Sequence, residues 1–265
     1  GLAGYWSITS HGKTTISATV EDWEILPKTL TQYKALDFGT RMEAIFADCI
    51  AAHGIPNNSS PYNIVIEFNG DAFDGYSIGG YRYAGSSLQR RVWHSISPGG
   101  GFTESLIAHE IGHTYGLPHS NNNDGLPGDP YDNAWDVMSW SYEGVWDETY
   151  GHHPPPTNGY HYQQMGMIPA GDRMMLASGT RSTVIIDRWG VVATPNVYLV
   201  TIPIPGDSRF YTIETRKMSA GGYEENVIGD GVLVYQIDNF RPEPAWMVLD
   251  TTSTPFVFDP TLALT

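Results

Sequence analysis

The chain has 265 residues, with 29 Asp plus Glu against 14 Lys plus Arg and a formal net charge of −15. Such an acidic surface repels phosphate backbones and argues against a nucleic-acid partner. The sequence contains no run of 18 apolar residues, which excludes a membrane-spanning helix. The length suits one large domain or two modest ones with a substantial core.

Residues 1–27 read as extended segments. Tyr5-Trp6-Ser7-Ile8 and Thr14-Thr15-Ile16-Ser17-Ala18-Thr19-Val20 alternate, and the second is rich in β-branched residues. A single helix is predicted from about residue 30 to 52, closed by His53-Gly54 and Pro56. The only cysteine, Cys49, falls on its apolar face and reads as a small buried hydrophobe, so no intrachain disulfide can form. Tyr62-Asn63-Ile64-Val65-Ile66-Glu67-Phe68 is predicted to be a central strand, apolar to both faces. Residues 79–85 and 91–97 follow as extended segments. Gly99-Gly100-Gly101 then breaks the chain, and Thr103 can cap a helix running from about Glu104 to Tyr115.

Residues 120–160 are rich in Asn, Asp, Gly and Pro and read as a long loop region. Asn121, Asn123, Asp124, Asp129, Asp132 and Asp136 offer oxygen ligands for a calcium ion, although they do not fit the spacing of a known calcium loop and turn chemistry alone explains them. Residues 160–165 form a short helix ended by Gly166. Beyond residue 170 the texture is β-rich, at 183–186, 197–204, 210–216 and 232–237, with turns at Arg188-Trp189-Gly190, Pro205-Gly206 and Gly221-Gly222. A small antiparallel sandwich is expected there. The last thirty residues carry no assignable pattern.

The most informative stretch is His109-Glu110-Ile111-Gly112-His113-Thr114-Tyr115-Gly116-Leu117-Pro118-His119. Two histidines four apart on a helix share one face and can share one metal ion. Gly116 can end the helix in the left-handed conformation and let the chain bring His119 back to the same ion. Three neutral nitrogens leave a fourth position for water, the layout of a catalytic zinc site. The remaining histidines, at 11, 53, 94, 152, 153 and 161, are not tied to the metal by any spacing.

This segment resembles the extended zinc signature of the metzincin metallopeptidases. Trp135-Asp136-Val137-Met138-Ser139-Trp140 resembles their Met-turn, which makes Met138 the expected floor of the site rather than a ligand. Some metzincins carry a tyrosine two residues after that methionine. Here the position is Trp140, so no catalytic tyrosine is carried over. Within the clan the surrounding text is most similar to secreted peptidases of the gametolysin and immune-inhibitor-A type, over roughly residues 100–240. The similarity includes Phe210-Tyr211-Thr212-Ile213-Glu214-Thr215-Arg216 and Gly231-Val232-Leu233-Val234-Tyr235-Gln236-Ile237-Asp238.

The resemblance implies an α+β fold. Residues 1–169 would form a metzincin-like catalytic domain, with a twisted mixed sheet, two long helices and a Met-turn, and residues 170–265 a small β-sandwich-like domain. It implies a secreted, zinc-dependent endopeptidase acting on protein or peptide substrates, with Glu110 as general base. A monomer is expected, beginning near Gly1 after removal of a leader. An extended substrate would pair with a sheet edge, for which residues 91–97 are the candidate. Activity is expected to fall below about pH 5–6 as the imidazoles protonate.

Two other readings compete with this one. In a gluzincin-type layout the third ligand would be Glu143, within Glu143-Gly144-Val145-Trp146-Asp147, but His119 already fills that role. A glycan-binding or cell-surface protein with a structural zinc would use aromatics such as Trp189, Tyr198 and Trp246 on its C-terminal β domain. An intact Glu110 beside the ligands argues for catalysis.

Overall fold

The structure is a computed structural model and describes residues 1–55, 63–74, 76–84, 87–96, 104–123, 131–139, 146–149, 151–189, 195–218, 223–227 and 229–249. In chain order the helices are α1 (Leu2–Thr9), α2 (Leu30–Lys34), α3 (Phe38–Ala52), α4 (Glu104–Thr114) and α5 (Gly159–Gln164). The strands are β1 (Ile64–Asn69), β2 (Ile78–Ala84), β3 (Ser87–Ile96), β4 (Asn121–Asn122), β5 (Trp146–Asp147), β6 (Gly151–His152), β7 (Arg173–Met175), β8 (Leu199–Pro203), β9 (Phe210–Arg216), β10 (Gly231–Ile237) and β11 (Ala245–Met247). The protein is mixed α+β. Contacts divide it into two compact units, Ser17–Leu117 and Gly1–Ile16 with Pro118–Thr265.

In the unit Ser17–Leu117 a three-stranded mixed sheet has the order β1-β3-β2, with β1 parallel and β2 antiparallel to β3. The central strand is therefore β3, which contains residues 91–96 of the segment expected at the edge. The 62–68 segment, expected to be central, supplies β1 at one side, and Val65 on it is 46% exposed. Tyr33, Ile45, Phe46, Ile50, Ile66, Phe73 and Trp93 form one core, with Cys49 partly buried against it. Burial pushes the Cys49 thiol up to about 11, so it is an inert packing group.

The helix predicted over residues 30–52 is two helices. Thr29 and Gln32 form a capping box at the start of α2, and the Asp37 side chain accepts the Thr40 N–H to start α3 afresh. Residues 14–26 take no regular structure. Alternation needs a partner strand to become β, and Val20, Trp23 and Ile25 instead face solvent.

In the other unit, residues 2–9 are helical rather than extended. Tyr5, Trp6 and Thr9 are buried together, a spacing only a helix turns to one side, and the Thr9 hydroxyl donates to the Tyr5 carbonyl at 2.8 Å. The β-rich stretch forms a single mixed sheet, β4-β11-β10-β9-β8-β7, where a sandwich of two antiparallel sheets was expected. Its middle is antiparallel, while β7 and β4 join their neighbours in parallel. Residues 183–186 supply only an isolated bridge from Ile186 to Val197.

On β9 of this sheet Glu214 and Arg216 are buried side by side. Arg216 donates to Glu214 Oε1 at 2.7 Å and to the Thr157 carbonyl at 2.6 Å, and Glu214 accepts the Gly159 N–H at the start of α5. A Cβ on Gly159 would lie 2.7 Å from that carboxylate, so the helix start is shaped around the ion pair. Among the described residues, no helix is long and apolar enough to cross a membrane.

Candidate metal centre

The helix α4 carries His109, Glu110 and His113. The rings of His109 and His113 stand 4.7 Å apart, centroid to centroid, as neighbours one turn apart must. The helix stops as expected. Gly116 adopts φ +84°, its N–H donates to the His113 carbonyl at 2.9 Å, and the Leu117 N–H reaches back to Gly112 at 3.2 Å. The ligand atoms of His109, His113 and His119 lie within 4.8 Å of one another, and this three-histidine group can hold a metal ion.

The donor chemistry fits a metal. The Nδ1 of His113 lies 2.8 Å from the Leu117 carbonyl, which can only accept, so Nδ1 carries the proton and Nε2 carries the lone pair. His119 is largely buried, and desolvation lowers its pKa despite the opposing pull of Glu243. A histidine held neutral is ready to ligate.

Glu110 is 5% exposed. Burial pushes its carboxyl up to about 8, opposed by a hydrogen bond from the Gly79 backbone. Gly79 is a position beside Glu110 that the metal motif does not point to. A Cβ there would sit 1.9 Å from the Glu110 carbonyl oxygen, so β2 can lie this close to α4 only with glycine. The Gly79-Gly80 pair inside a strand was the available signal.

His119 is positioned by a different device. The Ser120 N–H next to it donates to the Met138 carbonyl at 3.1 Å. Met138 is fully buried in the turn that holds Trp135, Asp136, Val137 and Ser139. Asp136 is the hub of that turn. Its carboxylate accepts from the Ser120 hydroxyl (2.7 Å), the Met138 N–H (2.8 Å), and the side-chain and main-chain N–H groups of Asn158 (2.6 and 3.2 Å). His161 lies 4.0 Å from Asp136 with no exposure, and burial lowers its pKa to about 4.

Asp132 accepts the Asn122 N–H at 2.7 Å. Among the described residues, neither Asp132 nor Asp136 joins a group that could hold a metal. Asp124, Asp129, Thr103, Trp140 and Glu143 lie outside the described residues. Trp189 is 2% and Tyr198 6% exposed, so these aromatics are core residues rather than an exposed platform.

Neither a family model nor a curated protein matches this chain. The functional reading therefore rests on the residues of the site itself.

Proposed function

We propose that this chain is a secreted, zinc-dependent endopeptidase of metzincin type. The observation that carries the reading is a three-imidazole group with a buried glutamate next to its first member on the same helix. When bound, zinc supplies a Lewis acid that lowers the pKa of water and polarises a carbonyl oxygen.

The chain's own residues supply the rest. His109, His113 and His119 would hold the ion through neutral nitrogens. Glu110 accepts a proton from the attacking water as the new C–O bond forms at the scissile carbonyl carbon. It then returns that proton to the leaving amine as the C–N bond breaks. Burial raises its pKa above the usual carboxylate range, and a bound dication would favour the ionised form that accepts the proton. Met138, buried in the turn bonded to Ser120, is the floor residue.

The test is hydrolysis of casein or a mixed peptide library by the wild type, a chelator-treated sample and Glu110→Gln. Turnover in the wild type alone supports the reading, and equal turnover in all three rejects it.

A further inference from the structure

We infer that Glu243 is a positioning residue for His119, receiving the imidazole Nδ1–H and so presenting Nε2 to the metal. The inference rests on the metal-centre reading above. The Glu243 Oε1 lies 3.6 Å from His119 Nδ1, and a shift of less than about 1 Å brings the pair within hydrogen-bond range. Glu243 is not a member of the three-histidine group, so its carboxylate stands beside the ligand atoms and not among them.

The carboxylate is aimed from two fixed points. Its other oxygen accepts from Asn121 Nδ2 at 2.6 Å, and Asn121 sits in β4, opposite Trp246 of β11. The loop between β10 and β11 that carries Glu243 is bonded to itself. The Asp238 N–H donates to the Pro244 carbonyl (3.0 Å), the Arg241 N–H to the Asp238 carbonyl (3.1 Å) and the Phe240 N–H to the Asp238 carboxylate (3.0 Å). The Arg241 guanidinium donates to the carbonyls of Gln236 and Pro244 and lies 4.1 Å from the Trp246 ring centroid.

A carboxylate behind a ligating imidazole fixes its tautomer and raises its basicity, and loss of such a partner weakens metal binding by about 10–100-fold. His113 has a backbone carbonyl in this place. His119, which follows the helix end, takes a side chain supplied from far along the sequence.

The test is competition for zinc between a chromophoric chelator and the full chain as wild type, Glu243→Gln and Glu243→Ala, with the melting temperature of each metal-free protein measured alongside. Glu243→Gln keeps an acceptor for Asn121 but loses the negative charge. We expect zinc dissociation constants raised about 10-fold in Glu243→Gln and up to about 100-fold in Glu243→Ala, with metal-free Glu243→Gln melting as the wild type does. Wild-type affinity in Glu243→Gln would reduce Glu243 to a strut and overturn the inference while leaving the metal centre standing. A wild type that binds no zinc would overturn both.

Discussion

Residues 104–117 and residues 118–139 both supply metal-ligand candidates, by different physics. The first stretch places two imidazoles through helical spacing alone, and its end is set by one glycine. The second places one imidazole through a polar turn in which a single buried carboxylate gathers four donors from Ser120, Met138 and Asn158. Local periodicity is robust and readable. A hub is neither, because its partners are scattered along the chain and each depends on the others.

The largest effect should fall on the hub. Asp136→Ala leaves four donors without their acceptor, and at about 1–3 kcal/mol for each orphaned buried group the loss should reach about 5 kcal/mol. Denaturant unfolding should show it, and a change under about 1 kcal/mol would mean the turn does not depend on Asp136. The helix half should behave in the opposite way. Glu110→Gln removes the base from an intact helix, so turnover should fall about 10²–10⁴-fold, or about 3–5 kcal/mol of barrier, with zinc content and melting temperature retained. Loss of zinc along with activity would break the contrast, because helix and site would then be one fragile assembly.

Third in size is Gly79→Ala. A methyl placed 1.9 Å from the Glu110 carbonyl must push β2 from α4, at about 2–3 kcal/mol, and should weaken turnover through Glu110. A variant as stable and active as the wild type would show that the close approach is dispensable.

The smallest effect lies on β1. Burial raises the Glu67 carboxyl from 4.5 to about 7, with His94 Nε2 3.9 Å away. The folded chain therefore holds this proton more tightly than the unfolded chain. The associated stability is fully present below about pH 4.5 and is lost as the pH rises towards 7. Glu67→Gln should thus melt like the wild type at pH 4 and several degrees above it at pH 8. Destabilisation at pH 8 would show that the charged form has a partner worth keeping.

What the sequence made legible follows the same division. The helix α4, its glycine stop, α5 and the strands β9 and β10 were read nearly to their ends, since each carries its own periodicity or punctuation. Residues 2–9 are helical where alternation suggests a strand, because the two patterns look alike over so few residues and the burial of Tyr5 and Trp6 decides between them. The order β1-β3-β2 was not legible, because pairing depends on partners and not on a strand's own composition. Substrate pairing along residues 91–93 is excluded for the same reason, as β3 is bonded there on both sides. At the site, the three histidines and Glu110 were visible in one short motif. Gly79 showed only as an odd glycine pair, and Glu243 left no local trace.

The most direct measurement is diffraction at the zinc absorption edge from crystals grown with one equivalent of zinc. The account predicts one anomalous peak per chain, about 2.0–2.1 Å from a nitrogen of each of His109, His113 and His119. A peak elsewhere, or none between those three rings, would contradict it.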